Sequence, residues 1–502
     1  MFTLINLRVI LIQQHRSILD FASKFIHQER MIVIRQSNNR LILAIIITCQ
    51  LMVVLDASIM ITALPEIGRG LHLATTSLTW VQNAYVLAFG GFLLLGARAG
   101  DLVGRRRVFI IGTAIFTVAS LLAGLAQSAE MLFITRALQG IGAALATPSA
   151  LALLSVSFVE TKERVKAIAM YSAVNGAGGS IGLVLGGMLT DWVSWRVGMF
   201  INVPIGILLL VLAPKYLPET NKSTGRFDIM GAITSVVGLT ALVYGFVRAA
   251  DDGWGNAVTI ASLLTGVVLL AAFAFIESRV EQPITPLRLF SSRERSGAYL
   301  GRLLFVGGMF SMFFFMSQFL QHVLGFTALE TGLAFLPMTM VQFGMMYAMP
   351  WLVSRYGNAK VLISGIFIVI IAMSFMSQIS TDLKFFPGIL IPMVILGMGA
   401  GIVFIPFTTF GLSGVDPRDA GAASGLVNVA HQTGGSLGLA VLTAVFGSFV
   451  RTGTPTDAEF TAGISTAIIG SILFVSASFI VVLLLLRPGS KKAAKQQAQD
   501  AS

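Results

Sequence analysis

Apolar stretches of about 20 residues, the length that crosses a hydrocarbon core as a helix, recur fourteen times along this chain with hydrophilic breaks between them. They fall near 41–64, 78–97, 108–126, 131–155, 166–188, 197–216, 229–248, 256–276, 297–320, 330–352, 360–378, 386–411, 421–446 and 462–486. Lipid offers no partner to a free N–H or C=O, so stretches of this kind fold as helices that satisfy their own backbone. The expected class is an all-α membrane protein with fourteen transmembrane helices. Composition agrees, because 55% of the 502 residues are hydrophobic and 11% are charged, more apolar than a soluble core of that length needs. The 51 glycines have no triplet period, which removes a collagen-like reading, and in membrane helices they allow close packing.

A formal charge of +11 would suggest a nucleic-acid partner in a soluble protein. Here position decides against it. Arg98, Arg105, Arg106, Arg107, Lys162, Arg164, Lys166, Lys222, Arg226, Arg279, Arg288, Arg293, Arg295, Arg355, Lys360 and Arg418 lie in gaps that follow even-numbered stretches. The opposite gaps hold chiefly Arg69, Arg196, Arg248, Lys384 and Arg451. By the positive-inside rule the richer gaps are cytoplasmic, and an even number of spans leaves both termini inside. The segment 1–40 is then an N-terminal cytoplasmic extension, too often interrupted by charge to span and without a signal-peptide cleavage pattern. Met31 opens a short basic leader, MIVIRQSNNR, directly before the first stretch, and is an alternative start of translation to Met1. The tail 487–502 carries Lys491, Lys492 and Lys495 and is expected to be cytoplasmic. The single cysteine, Cys49, has no intrachain partner and says nothing of compartment.

The sequence also repeats itself. DLVGRRRVFIIG at 101–112 parallels SRYGNAKVLISG at 354–365, an offset of 253. GIGAA at 140–144 parallels GMGAG at 397–401 at 257, and GGSIGLVL at 178–185 parallels GGSLGLAV at 434–441 at 256. Shared order and nearly constant spacing point to a duplicated six-helix unit. The first six stretches (41–216) pair with the last six (295–486), leaving a linker with two inserted helices at 217–294. Because the displacement is an even number of spans, the halves lie the same way up, with a substrate site expected between them near the midplane.

Several motifs carry chemistry. The gap after the second stretch reads GARAGDLVGRRRV, with Gly100, Asp101, Gly104, Arg105 and Arg106 at a helix boundary. Positive-inside anchoring explains Arg105 to Arg107 but requires neither Asp101 nor Gly104. The first stretch holds Asp56 within VVLDASIMITALPEI, and an acid that deep in lipid is costly enough to imply a function. The fourth supplies a cation, Arg136 in ITRALQGIGAA, with Gln139 and Gly140 on the same helical face. The plainer alternative is a static pair that fixes helix packing. In the fifth, NGAGGSIGLVLGGML, the small residues Gly178, Gly182, Gly186 and Gly187 make a face for close helix contact.

The loop GARAGDLVGRRRV resembles the signature loop of the major facilitator superfamily, although Ala97 and Ala99 stand where glycine and leucine are usual. The resemblance implies a charge-relay lock on the cytoplasmic side made by Asp101, Arg105 and Arg106. The stretches with Asp56 and Arg136 resemble spans of drug:proton antiporters, which implies a proton-transfer role for the arginine. The fifth stretch resembles the antiporter motif, with Leu183 in place of its proline. SWRVGMFINVPIGILLL at 194–210, GRFDIMGA at 225–232 and QHVLGFTALETGLAFLPM at 321–338 are similar to the fourteen-span drug exporters. The implied fold is two six-helix bundles in parallel repeat plus two inserted helices. The implied function is proton-coupled export of lipophilic drugs or toxic compounds across the cell (inner) membrane by alternating access. The alternatives within the superfamily are export of one metabolite or antibiotic, and a nutrient facilitator or symporter.

Polar residues that suit a central cavity are Gln82, Asn83, Tyr85, Gln139, Asn175, Arg302, Gln318, Gln342, Asn428 and His431. Each is equally suited to interhelical hydrogen bonding. Met338, Met340, Met345, Met346 and Met349 fit a pliable surface for varied apolar ligands. Arg302 favours anionic or neutral substrates over dications. No G-x-x-x-x-G-K-[ST] loop occurs, so ATP-driven transport is unsupported, and the five histidines show no metal-ligand spacing. The expected partners are a small lipophilic substrate, protons and the bilayer. The chain is expected to act as a monomer, to use the proton gradient without a cofactor, and to be neither an enzyme nor a binder of metal or nucleic acid.

Overall fold

The computed structural model describes residues 39–158, 160–220, 228–280, 283–416, 419–450 and 455–486. These contain fourteen helices long and apolar enough to cross a membrane, and no strand. In chain order they are α1 (Asn39–Leu71), α2 (Thr75–Val103), α3 (Arg105–Gly124), α4 (Ala129–Ser157), α5 (Lys166–Trp192), α6 (Trp195–Tyr216) and α7 (Ile229–Asp252). The remainder are α8 (Ala257–Glu277), α9 (Arg293–His322), α10 (Ala328–Tyr356), α11 (Asn358–Met376), α12 (Phe385–Gly411), α13 (Ala420–Phe449) and α14 (Asp457–Leu485). The stretch up to residue 38 with Met31, the tail from 487, and Lys222, Arg226, Arg418 and Arg451 lie outside the described residues.

All fourteen expected spans are present, most of them longer than their apolar stretches. The extra turns are polar and use side-chain caps that hydropathy does not register. Thr327 and Glu330 form a capping box at the start of α10, and Thr456 and Glu459 form one on α14. The stretch expected at 386–411 is interrupted, because its helix stops at Gly401 and resumes at Phe404.

The two halves pack by the same plan. α4 lies against α2 and α3 while α12 lies against α10 and α11, and α3 meets α6 as α11 meets α14. The repeated glycines make these contacts. A Cβ on Gly112 would stand 2.7 Å from the Gly142 carbonyl oxygen, and one on Gly365 would stand 3.1 Å from that of Gly399. A Cβ on Gly140 would fall 2.4 Å from the Tyr85 carbonyl oxygen, and one on Gly397 would fall 2.3 Å from that of Met338. Equivalent glycines therefore bring equivalent backbones into contact, which is how helices associate where lipid competes for every apolar side chain.

α7 and α8 pair with each other at the side of this assembly. α7 touches both α2 and α13, with Val243 and Val247 packed among Leu87 and Ala440. α8 turns Leu264, Val267, Val268 and Phe275 outward, each more than half exposed, as a lipid-facing helix does.

Contacts between the halves are unequal along the membrane normal. At the end away from the Arg105–Arg107 loop, Ser317 Oγ donates to the Ile61 carbonyl (2.9 Å) and Gln321 Nε2 to that of Thr62 (3.1 Å), joining α9 to α1. At the same end Asp191 of α5 accepts from the backbone N–H groups of Ala328 (3.0 Å) and Leu329 (2.8 Å) at the start of α10. The Gly187 and Gly332 positions bring those two helices together. Toward the basic end Gly344 of α10 faces open space, and Met340, Tyr347 and Trp351 are exposed. Among the described residues the α2–α13 seam continues there, with Leu94 against Gly425.

The close approaches predict a sharp contrast between glycines. Gly142→Leu would place a Cβ 2.6 Å from the Phe116 backbone nitrogen, and overpacking against backbone is expected to cost about 1–3 kcal/mol or more. Gly344→Ala meets no atom within 4 Å and is expected to be neutral or to gain up to about 1 kcal/mol of helix propensity. Thermal unfolding of both variants in detergent checks this.

Candidate proton-coupling and gate sites

Asp56 sits on α1 in the middle of an apolar run and is fully buried, with 0% exposure. Its Oδ2 accepts from Arg136 Nη1 of α4 at 2.6 Å, and both side chains of this ion pair are inaccessible. Its Oδ1 accepts from Gln139 Nε2 (3.0 Å) and from Asn202 Nδ2 of α6 (2.9 Å). Arg136 donates further from Nε to the Val81 carbonyl of α2 (3.1 Å) and from Nη1 to Gln139 Oε1 (2.9 Å). Its guanidinium carbon lies 4.5 Å from the centre of the Tyr85 ring, a cation–π contact. Gln139 Nε2 also donates to Ser120 Oγ of α3 (2.7 Å). Five helices of the N-terminal half thus converge on one carboxylate.

Such a pair is tolerated in lipid because each charge neutralises the other and both carboxylate oxygens accept hydrogen bonds. Arg136 Nη2, Asn202 Oδ1 and the Tyr85 hydroxyl remain without a partner. Chemically the cluster can store one negative charge or one proton at Asp56, and no water-accessible surface reaches it in this conformation. Tyr85 and Gln139, expected along an open cavity, belong to this closed cluster instead. Packing of α4 directly on α2 at Gly140 draws them in.

Sequence reasoning singled out Asp56 and Arg136 but missed Asn202 and Ser120 as partners. Asn202 stood in plain view within INVPIG, where a polar amide in an apolar helix is the available signal. Ser120 offered none, since serine is common in membrane helices.

The loop between α2 and α3 is the second candidate site. Asp101 and Arg105 form an ion pair within one helical turn of sequence. The Arg106 backbone N–H donates to Glu219 Oε1 (3.3 Å) and the Arg105 N–H to Thr220 Oγ1 (3.2 Å). Arg106 Nη1 reaches the Leu217 carbonyl (3.3 Å) and Arg106 Nε stands 3.5 Å from Glu219. Gly104 has φ +112°, and a Cβ there would lie 2.6 Å from Glu219 Oε1. Gly100 packs against Arg105 and Ser149. Glu219, just past α6, is thus an acid that the sequence reading did not assign.

The glycines of α5 divide their work. Gly178, Gly182 and Gly186 pack on α1 at Val54, Ser58 and Ile59, whereas Gly187 packs on α10 at Ala328. Of the remaining cavity candidates, Asn83 is fully buried between the halves and accepts from Ser436 Oγ of α13 at 2.9 Å. Gln82 and Gln318 are buried as well. Gln342 is partly exposed on α10, and Asn428 is exposed on α13, where it donates to the Ser424 carbonyl. Arg302 and His431 both lie against Phe404. The Asn175 side chain lies outside the described residues. No group of three or more His, Cys, Asp or Glu side chains that could hold a metal ion occurs among the described residues.

Residues 46–439 match the Major Facilitator Superfamily family. The chain belongs to the major facilitator superfamily. Within it, the sequence is 39% identical over 444 residues to the cephamycin export protein CmcT of Amycolatopsis lactamdurans, covering 87% of this chain and 90% of that protein. It is 38% identical over 409 residues to the puromycin resistance protein pur8 of Streptomyces alboniger, covering 80% and 81%. A solved bacterial homolog of the human lysosomal transporter Spinster, inward-facing and unoccupied, has a TM-score of 0.62 at 16% identity, covering 90% of this chain and 98% of that one. That structural likeness supports the fold of this major facilitator and nothing finer.

Two stability predictions follow from this geometry. Arg136→Ala would strand a fully buried carboxylate and is expected to cost about 3–5 kcal/mol, seen as loss of monodisperse protein on size exclusion. At the loop, Gly104→Ala combines a disfavoured positive φ with a clash and is expected to cost about 1–2 kcal/mol. Glu219→Gln weakens only partly exposed pairs and is expected to cost under about 1 kcal/mol, so unfolding midpoints should rank Gly104→Ala below Glu219→Gln.

Proposed function

We propose that this multi-pass membrane protein is a proton-driven antiporter that expels lipophilic compounds across the cell membrane, with both termini cytoplasmic and the monomer as the working unit. Export is supported by whole-length likeness to proteins named for export of cephamycin and resistance to puromycin. Proton coupling rests on the sealed cluster around Asp56, a single titratable acid held by Arg136, Gln139 and Asn202 inside the membrane-spanning region.

In this reading the basic end is cytoplasmic, so the conformation is inward-facing. The contacts of α1 with α9 and of α5 with α10 then close the outer side. Asp56, paired with Arg136, represents the state after its proton has left to the inside. Opening outward exposes the cluster, a proton neutralises Asp56, and the Arg136 contact weakens, since the attraction depends on the carboxylate charge. On return toward the inward state the proton leaves to the inside before the cluster seals, and the pair re-forms. Asp101, Arg105 and Arg106 serve as the cytoplasmic lock, with Glu219 holding the loop in place between closures. The driving force is the proton gradient, with no cofactor.

The exposed Met340 and the adjoining aromatic residues of α10 suit apolar ligands of varied shape. A narrower reading, export of one antibiotic or metabolite, is favoured by the fact that each of the two relatives is named for a single compound.

The test uses purified protein in liposomes with an imposed pH gradient, read by a quenched acridine dye while cationic, neutral and anionic lipophilic compounds are added. Compound-dependent proton release should be seen in the wild type and lost in Asp56→Asn, with size-exclusion behaviour unchanged. Uphill transport that survives in Asp56→Asn would sink the coupling role.

A further inference from the structure

The C-terminal half carries a buried charge that the proton-coupling cluster does not use. Arg302 enters from α9, nine residues beyond the helix start, which is roughly 14 Å along the axis at 1.5 Å per residue. It is 9% exposed. Among the described residues no carboxylate forms an ion pair with it. Its Nη1 donates to Thr408 Oγ1 at 2.9 Å and stands 3.5 Å from the Phe404 carbonyl oxygen, both on α12 just past the break after Gly401. Nε is buried and has no partner. The guanidinium carbon lies 5.5 Å from the centre of the Phe404 ring. The other side of this pocket is His431 of α13, whose ring is 5.7 Å from that of Phe404 and whose Nδ1 is buried without a partner.

The contrast with Arg136 is informative. Among the described residues each half buries one arginine, and of the two Arg136 has a carboxylate counter-ion whereas Arg302 has none. A hydroxyl, a carbonyl and a ring face offset part of the cost of holding a guanidinium in lipid, but they leave its net charge uncompensated. An interrupted helix beside it matches the way transporters place irregular backbone at ligand cavities. In the inward-facing reading, this pocket lies in the half of the molecule where α5 and α10 have parted.

We infer that Arg302, with Thr408, Phe404 and His431, forms the subsite for a monoanionic headgroup, with the apolar body of the ligand lying toward the methionines of α10. The charge missing from the protein is supplied by the cargo, and the preferred substrates are amphiphilic acids. This rests on the export reading for its biological meaning, but binding is testable without transport.

The probe is 11-(dansylamino)undecanoic acid, compared with its primary carboxamide, by dansyl fluorescence on purified protein in nanodiscs of phosphatidylcholine. The wild type should bind the acid at least tenfold more tightly than the amide. Arg302→Gln should bring that ratio to about one while keeping the wild-type size-exclusion profile, and Arg302→Lys should retain part of it. A second arm adds phosphatidylglycerol to the discs. Displacement of the acid marks a lipid phosphate as the natural headgroup, and its absence marks a free acid, with the anion subsite upheld either way. Equal binding of acid and amide by the wild type, binding of neither, or a preference that survives in Arg302→Gln overturns the inference. Acid preference without any export of the acid in proteoliposomes would instead count against the export reading alone.

Discussion

One carboxylate held against one guanidinium, both out of reach of water, organises the N-terminal half. Neither charge is tolerable alone at that depth, so α1 and α4 must stay in register, and the leftover hydrogen-bonding capacity of the pair recruits α2, α3 and α6. The C-terminal half repeats the packing without the charge. At the position equivalent to Arg136 stands Met393, fully buried. The same backbone plan therefore carries an electrostatic core on one side and an apolar one on the other, and Arg302, the charged group buried deep in the second bundle among the described residues, sits elsewhere and has no carboxylate beside it among them.

Much of this was legible before any coordinates. The fourteen spans come through because apolar length is a strong signal, and the duplication because small residues recur at fixed offsets. What gave those glycines meaning was the structure. Gly112 with Gly142, and Gly365 with Gly399, are the points where backbones touch, which spacing alone does not distinguish from general flexibility. The break in α12 is not visible in the hydropathy, since the sequence from 386 to 411 is apolar except for Thr408 and Thr409 and hydropathy is blind to backbone direction.

At the candidate sites the sequence was informative where a charge stood out against apolar neighbours, as with Asp56 and Arg136. It was uninformative where the partner was a neutral amide or lay far along the chain. Asn202 is 146 residues from Asp56, and Glu219 is 113 from Arg106. Residue type was a poor guide to access. Gln82, Asn83, Tyr85 and Gln139 are polar, as cavity residues are, yet helix contact has buried all of them. Of the polar candidates on the last six helices, Gln342, Asn428 and His431 retain more surface.

The inserted pair α7 and α8 adds no charge to either site, yet α7 touches α2 and α13 at once. A helix packed on both halves works like a hinge pin set along one edge. Rotation that preserves its two contacts must turn about an axis close to the α2–α13 seam, and displacement then grows with distance from that edge. In the proposed alternating access the greatest travel would then fall at α5 and α10, which meet at the end away from the basic loop, while the α2–α13 edge moves least. On the proposed export function, a bulky cargo would pass on the α5–α10 side, where the halves are not pinned together.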